Sequence, residues 1–190
     1  KPLSRDLALI HYGRFDRSKN IGLLLQVAEK LIKFEPGMRL KIIGSPSTQS
    51  SMLYQKKIMA QFSEIITSGS VKILPACLRT QLYNHLIESD IFLHAFQGSL
   101  DKSLVEATLV GVPVVTLNQE YLREFGTWSK TSNGNSTDSI EFLVNEILSL
   151  ISLDLSSLKA EQLRRSSLAL ENHSLANWTV KMSNLLIEAD

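Results

Sequence analysis

Residues 98–116 read GSLDKSLVEATLVGVPVVT, and this stretch decides the fold. It predicts, in order, a polar loop, an amphipathic helix, a tight turn at Gly111 and Pro113, and a buried strand that begins at Val114. In an open α/β sheet, ligands bind at the carboxyl ends of the strands, where helix N-termini point free N–H groups at anions. Glu106 lies on a helix that follows such a strand end. Its carboxylate would suit the hydroxyl groups of a ribose or another sugar.

Short apolar runs and longer helical runs alternate from the start of the chain to this stretch. The predicted strands are residues 7–12, 40–43, 71–74, 91–93 and 114–117, and the predicted helices are residues 21–34, 52–66, 80–89 and 102–109. Nearly continuous apolar strands that alternate with helices are typical of a parallel sheet covered on both faces. The sequence therefore predicts an α/β fold with a Rossmann-like, doubly wound parallel sheet.

The pattern changes after the fifth predicted strand. Residues 130–137 predict a polar loop, and residues 139–190 predict helices in three pieces, with breaks near residues 153–154 and 172–174. We expect one domain over residues 1–190, with a sheet core at about 5–131 and a helical C-terminal extension at about 137–190. A stripe on the last piece either covers this sheet or faces another lobe, and it consists of Trp178, Met182, Leu185 and Leu186.

Composition narrows the class of protein. Twenty basic and nineteen acidic residues give a net charge of +1 without a block of like charge, which argues against a nucleic-acid partner. The single cysteine, Cys77, excludes an intramolecular disulfide, and no apolar run reaches the roughly 18 residues of a membrane span. The sequence has no initiator Met and no signal-like segment, which predicts a piece of a longer cytoplasmic protein.

Two motifs resemble the signature of the retaining glycosyltransferases of the GT-B fold, family 4. Glu106-Ala107 and the run Gly111-Val-Pro113-Val-Val match the family's Glu-Ala-x-x-x-Gly-x-Pro-Val-Val, and HYGRFDRSKNI at residues 11–21 is similar to its Gly-Arg-Leu-x-x-x-Lys-Asn run. The resemblance implies the carboxyl-terminal lobe of such an enzyme, with the N-terminal acceptor lobe absent. It also implies hexosyl transfer, with retention, from a UDP- or GDP-sugar to a glycan or lipid-linked acceptor in polysaccharide biosynthesis, with peripheral association at the inner face of the membrane.

The first motif supplies two candidate catalytic cations. Arg14 and Lys19 follow the first strand, after Gly13, whose missing side chain permits close approach of the backbone. A guanidinium and an ammonium suit a diphosphate, and they would stabilise the charge that develops on it as it leaves. Without the resemblance, the residues fit a solvated turn in which these charges lie near Asp16. With it, we expect both cations to bind the donor nucleotide.

The second motif supplies the nucleotide-binding helix. The resemblance implies that Glu106 accepts hydrogen bonds from the ribose hydroxyls, although a glutamate on a solvated helix face would read the same way. The backbone N–H groups of Ser103 and Leu104 are candidate phosphate donors, with added charge from Lys102. Pro75 and Ala76 follow the third strand, where the family's base-binding loop lies.

One position departs from the family pattern. The family usually has a first glutamate eight positions before Glu106, where this chain has Gly98. That glutamate contacts the transferred sugar in the usual pattern, so Asp101 becomes the candidate substitute and the third candidate catalytic residue. Asp101 also fits the cap of the following helix, and the two roles are compatible.

Metal-binding patterns are absent from the sequence, and this bears on the mechanism. The departure at Gly98 bears on the function and leaves three functions open. The sequence has no Asp-x-Asp pair and no His/Cys set with metal spacing, so we expect neither a metal nor a resident cofactor. The leading function is glycosyl transfer. The alternatives are a sugar-nucleotide epimerase of the same fold and a non-catalytic nucleotide-binding lobe.

Overall fold

The computed structural model describes residues 6–129, 138–174, 176, 177 and 179. The strands are β1 (Ala8–Tyr12), β2 (Arg39–Ile43), β3 (Val71–Leu74), β4 (Ile91–His94) and β5 (Val114–Thr116). The helices are α1 (Ile21–Ile32), α2 (Gln49–Gln61), α3 (Ser63–Thr67), α4 (Arg79–Glu88), α5 (Lys102–Leu109), α6 (Gln119–Phe125), α7 (Ser139–Ile151) and α8 (Leu155–His173). The predicted loop at 130–137 and the stripe from Trp178 to Leu186 lie outside the described residues.

The five strands form one parallel sheet in the order β3-β2-β1-β4-β5. Leu9 of β1 is in register with Leu40 of β2 on one side and with Ile91 of β4 on the other. The chain therefore winds outward from β1 in one direction and then restarts at β4 in the other. This arrangement confirms the predicted Rossmann-like fold, and it places the topological switch point between the carboxyl ends of β1 and β4.

The two faces of the sheet bury separate hydrophobic clusters. Successive strand residues point to opposite faces, so Leu9 and Leu93 enter one cluster while Ile10 and Phe92 enter the other. Helices α1, α2, α3 and α7 cover the first face, and α4, α5 and α6 cover the second. This two-sided burial explains why the strands read as continuous apolar runs in the sequence.

As far as the structure describes the chain, the helical predictions hold with two exceptions, and the third piece predicted after residues 172–174 lies largely outside the described residues. The break predicted near residues 153–154 separates α7 from α8, and α5 has the predicted bounds. The single helix predicted at 52–66 is wrong, because Phe62 has non-helical backbone angles (φ −109°, ψ 28°) and divides α2 from α3. Helix α6 was not predicted. The buried Asn118 caps it by accepting a hydrogen bond from the Tyr121 N–H at 3.0 Å.

The turn after α5 has the conformation that its sequence requires. Gly111 has φ +82°, in the left-handed region that favours glycine, and it lies just past the C-cap of α5. The chain can then enter β5 three residues later. Within the part of the chain that the structure describes, no helix is both long and apolar enough to cross a membrane.

Candidate functional site

A cleft of about 250 Å³ opens at the carboxyl ends of β1, β2 and β3. Its lining comprises Tyr12, Gly13, Arg14, Ile43, Gly44, Ser45, Ala76, Cys77 and Leu82. The loops after β1 and β2 lie close together, because the Gly13 N–H donates to the Ile43 carbonyl at 3.1 Å. A Cβ atom at Gly44 would collide with the Gly13 carbonyl oxygen. The lack of a side chain at Gly44 thus allows the two loops to form one wall.

The two predicted cations lie in different surroundings. The Arg14 side chain is 70% exposed at the cleft, and its Nε lies 3.5 Å from Asp16. Lys19 ends a 3₁₀ turn (Arg17–Lys19) that Asp16 caps, and only 11% of its side chain is exposed. Its ammonium forms an ion pair with Asp101. Arg14 is therefore open to an incoming anion, whereas Lys19 already has a carboxylate partner.

Asp101 is the centre of a compact polar cluster. Its Oδ1 caps α5 by accepting hydrogen bonds from Ser103 N and Ser103 Oγ at 3.1 and 3.0 Å. Its Oδ2 accepts from Lys19 and from His94 Nε2, the latter at 3.3 Å. Burial acts to raise the pKa of the Asp101 carboxyl, but the hydrogen bonds from His94, Lys19 and Ser103 hold it well below its usual range. Asp101 is thus a fixed anion, and the capping role is the one the structure displays.

The capping geometry bears on the predicted phosphate donors. The sequence makes the backbone N–H groups of Ser103 and Leu104 candidate phosphate donors at the start of α5, and the structure shows neither of them free. Instead, the first donates to the Asp101 side chain and the second donates to the Asp101 carbonyl at 3.0 Å. Both groups are occupied because the residue before the helix satisfies them itself. Lys102, in the same turn, is exposed.

Glu106 is held at the cleft by two residues that the sequence analysis missed. The Tyr12 hydroxyl donates to Glu106 Oε2 at 2.8 Å, and Arg79 forms an ion pair with Oε1. Burial, followed by the hydrogen bond and the charge of Glu106, raises the pKa of Tyr12 above its ordinary value, so the hydroxyl remains a donor. Both carboxylate oxygens of Glu106 therefore face donor groups, and three quarters of the side chain is shielded from solvent.

Two buried histidines lie beneath this cluster. His94 Nε2 donates to Asp101, so Nδ1 of the neutral ring accepts from the Thr116 hydroxyl at 3.1 Å. His11 Nδ1 donates to the Leu93 carbonyl at 3.0 Å, and its Nε2 has no hydrogen-bond partner among the described residues. Nε2 lies 3.5 Å from where a Cβ atom of Gly13 would be. The β1 loop thus packs directly over a buried acceptor.

The remaining predicted residues lie on the far rim of the cleft. Pro75 and Ala76 are exposed in the loop between β3 and α4. The Ala76 N–H donates to Ser45 Oγ at 3.0 Å, which ties this loop to the one after β2. Arg79 begins α4 directly after this loop. The sequence could not identify Tyr12 or Arg79, because their roles depend on contacts with α5, which are distant along the chain.

A second cavity, of about 280 Å³, lies beyond β5. Its lining comprises Gln97, Leu117, Gln119, Leu122, Arg123, Thr127, Ser139 and Phe142. It contains none of the residues that the motifs identify. The candidate site is the cleft at the ends of β1, β2 and β3 together with the adjoining Lys19–Asp101–His94 cluster, because these hold the residues that the motifs identify.

The match to a known family now decides the class of protein. Residues 3–166 match the protein family described as "Glycosyl transferases group 1". The chain belongs to this family. Membership confirms the glycosyltransferase part of the resemblance in the two sequence motifs, and both motifs lie within the matched residues. A comparison with curated proteins gives no significant match.

Solved GT-B glycosyltransferases share the fold of this group 1 domain. A TarM mutant from S. aureus, crystallised with Fondaparinux, alpha-GlcNAc-glycerol and UDP, matches with a TM-score of 0.75 at 20% identity over 97% of this chain and 36% of TarM. Alr3699/HepE from Anabaena, in complex with UDP and glucose, matches with a TM-score of 0.74 at 17% identity over 95% of this chain and 48% of that protein. The chain thus spans less than half the length of each.

Proposed function

We propose that this chain is the donor-binding lobe of a retaining family 4 glycosyltransferase, which transfers a hexosyl group from a nucleotide sugar to a glycan or lipid-linked acceptor. The observation that carries the proposal is one cleft with an exposed cation, Arg14, on its wall and a carboxylate, Glu106, hydrogen-bonded to the Tyr12 on the same wall. A cation suits a diphosphate and a carboxylate suits a ribose diol. Family membership supports the same reading.

In the proposed complex, Arg14 binds the diphosphate. Its guanidinium is largely exposed and lies at the cleft, and each charge-assisted hydrogen bond to phosphate contributes about 1.5–3 kcal/mol. During transfer, the bond from the anomeric carbon to the phosphate oxygen breaks, and its electron pair leaves with the nucleotide. The acceptor hydroxyl forms the new bond to the anomeric carbon and passes its proton to a phosphate oxygen of the leaving nucleotide. Arg14 then stabilises the added negative charge, assisted by Lys19.

The proposed nucleoside site lies between α5 and the loop after β3. Glu106 accepts hydrogen bonds from the ribose hydroxyls, which requires them to compete with Arg79 and Tyr12 for the carboxylate oxygens. The base lies against the backbone of Pro75 and Ala76 on the opposite rim. The structural neighbours that contain UDP favour uracil as the first base to test, with guanine as the alternative.

The acceptor and the rest of the catalytic machinery belong, in this proposal, to an N-terminal lobe outside this chain. The chain spans less than half of its structural neighbours, which supports a two-lobe enzyme. We expect the isolated chain to bind nucleotide and to transfer nothing. The proposed reaction uses no metal or resident cofactor, and the proposed location is the cytoplasm, at the membrane surface.

A non-catalytic nucleotide-binding lobe is the second candidate. The observation that favours it is the engagement of Asp101, since its carboxylate caps a helix and pairs with Lys19 and His94. A carboxylate with these partners has little remaining capacity to contact a sugar. Both candidates require the same nucleotide site, so donor turnover by the complete enzyme distinguishes them.

Calorimetric titration with UDP, GDP and ADP, without metal, tests the nucleotide site. We expect saturable binding of one nucleotide, and we expect Arg14→Ala to weaken it at least about tenfold, or about 1.4 kcal/mol. Arg123→Ala is the matched control, because this arginine is 73% exposed and lines the other cavity. Equal loss of affinity in the two variants, or no binding of any nucleotide, would contradict the proposed site.

A further inference from the structure

Phe96 lies at the switch point without a role in the proposed nucleotide site. It follows the carboxyl end of β4 by two residues, and its side chain is half-buried. The Lys19 ammonium lies 4.2 Å from the centre of its ring, within the range of a cation–π interaction. The His94 ring meets it edge-on, with ring centres 6.3 Å apart and planes at 85°. The aromatic ring is therefore fixed against the same lysine and histidine that hold Asp101.

The Phe96 ring also occupies the space beside Gly98. A Cβ atom at Gly98 would lie 2.8 and 2.9 Å from the Cε2 and Cε1 atoms of Phe96. Carbon atoms in contact normally lie about 3.5–4.0 Å apart, so no side chain fits at residue 98 while the ring stays in place. The loop itself is held by the buried Asn118, whose Nδ2 donates to the Gly98 and Ser99 carbonyls at 2.9 and 3.1 Å. An aromatic ring thus stands where a side chain at residue 98 would begin.

Resting on the proposed function, we propose that Phe96 determines donor specificity by forming an aromatic wall for the transferred sugar. Lys19 connects the β1 loop to Phe96, because its Cδ and Cε atoms lie 3.9 Å from where a Cβ atom of Gly13 would be and its ammonium lies over the ring. In the proposed complex, a sugar attached to a diphosphate at Arg14 extends across Lys19 toward Phe96, at the switch point where ligands bind in doubly wound sheets. A carboxylate would recognise hydroxyl groups by accepting hydrogen bonds, whereas an aromatic face recognises an apolar C–H face. The site therefore takes a hexose that presents its C–H face to Phe96.

The test compares a nucleotide with its sugar-bearing form. Calorimetry measures the affinities of UDP and UDP-glucose, and of GDP and GDP-mannose, for the wild-type chain and for Phe96→Leu. We expect Phe96→Leu to weaken binding of the sugar nucleotide by about tenfold, or about 1.4 kcal/mol, and to leave the affinity for the free nucleotide unchanged. Phe96→Tyr retains the ring and should retain the preference. Gly98→Ala should reproduce the loss, because its methyl group displaces the ring.

Two outcomes overturn the inference in different ways. If Phe96→Leu changes the affinities for nucleotide and sugar nucleotide by the same factor, the ring has no sugar-specific role, although the nucleotide site stands. If the wild-type chain binds neither form, the proposed function fails and the inference fails with it. Phe34→Leu is the matched control, because Phe34 is 59% exposed just beyond the C-terminal end of α1. Thermal unfolding of each variant verifies that it is folded.

Discussion

His11 and His94 are buried beneath the candidate site and are held neutral there. Burial is the largest cause for both, and it lowers the pKa of His11 from 6.5 to about 3, assisted by the nearby His94. Burial also lowers the pKa of His94, as does the charge of Lys19, although the hydrogen bond and charge of Asp101 act in the opposite direction. Burial therefore favours the neutral imidazole at both positions, and His11 stays neutral near pH 6.

The depressed histidine pKa values predict a pH-dependent stability. As the pH falls below 6.5, the unfolded chain binds protons at His11 and His94 more readily than the folded chain does, and for His11 this difference persists down to about pH 3. The free energy of unfolding should therefore fall as the pH falls, by up to about 1.4 kcal/mol per pH unit from His11, and the lowered pKa of His94 acts in the same direction. Urea unfolding at several pH values between 7 and 4 measures this slope.

A single substitution separates the contribution of His11. His11→Asn should reduce the slope of unfolding free energy against pH by up to about 1.4 kcal/mol per pH unit, which corresponds to one bound proton. His173→Gln is the control, because His173 forms an ion pair with Glu124 near the surface. An unchanged slope in His11→Asn would show that this histidine is not the group that titrates. The comparison uses the slope, because His11→Asn also changes packing and therefore the absolute stability.

The two sequence motifs identify Arg14 and Glu106, because a cation and a carboxylate at these motif positions suggest roles in binding phosphate and ribose. Arg14 and Glu106 lie at the cleft or against it. Phe96 and Arg79 could not be predicted, because their contacts are with residues distant along the chain. Phe96 contacts Lys19 after β1, and Arg79 of α4 contacts Glu106 of α5. For Asp101 the sequence left two roles open, and the tertiary contacts with Lys19 and His94 reveal how firmly it is held.

The elements β1 and β2 form the cleft through a close approach of their following loops. Phe15 N donates to the Ser45 carbonyl at 3.2 Å, so the two loops run together beyond the ends of the strands. Gly44 is the point of closest approach, where a Cβ atom would collide with the Gly13 carbonyl oxygen. A backbone carbonyl cannot rotate away as a side chain can, so a substitution at Gly44 must separate the loops.

Gly44→Ala should therefore reduce both stability and nucleotide binding. Overpacking of this kind costs about 1–3 kcal/mol, and the displacement of the Arg14 loop should weaken nucleotide affinity as well. Gly69→Ala is the control, because its Cβ atom would meet nothing within 4 Å although its φ of +81° also strains the backbone. Urea unfolding and nucleotide titration measure the two effects. Normal affinity in Gly44→Ala would argue against a cleft formed by these loops.

Hydrophobic periodicity predicted the strands and most helices, because both faces of the sheet are buried. It did not detect the division at Phe62, since that residue and the flanking Ile58 and Ile65 all enter the core and continue the apolar pattern. It also missed α6, whose seven residues span too few turns to display a clear period. The backbone angles of Phe62 separate α2 from α3, and the side chain of Asn118 caps the start of α6.

Across the whole molecule, α8 links the two covered faces of the sheet. Leu158, near its start, enters the first hydrophobic cluster, and Ala169, near its end, enters the second. Between them, the buried Arg165 stacks on the Trp128 ring at 4.0 Å from its centre and donates to the Thr127 carbonyl at 3.1 Å. The candidate site lies away from these contacts, at the sheet edge formed by the carboxyl ends of β1, β2 and β3, with the adjoining Lys19–Asp101–His94 cluster after β4.

Hydrogen–deuterium exchange of the chain with and without the nucleotide it binds tests the central claim, which is that this edge is the nucleotide site. We expect protection of amides in residues 12–19 and 75–79, which border the cleft, and unchanged exchange in residues 117–127, which border the other cavity. Protection confined to residues 117–127, or no protection at saturating nucleotide, would contradict the account.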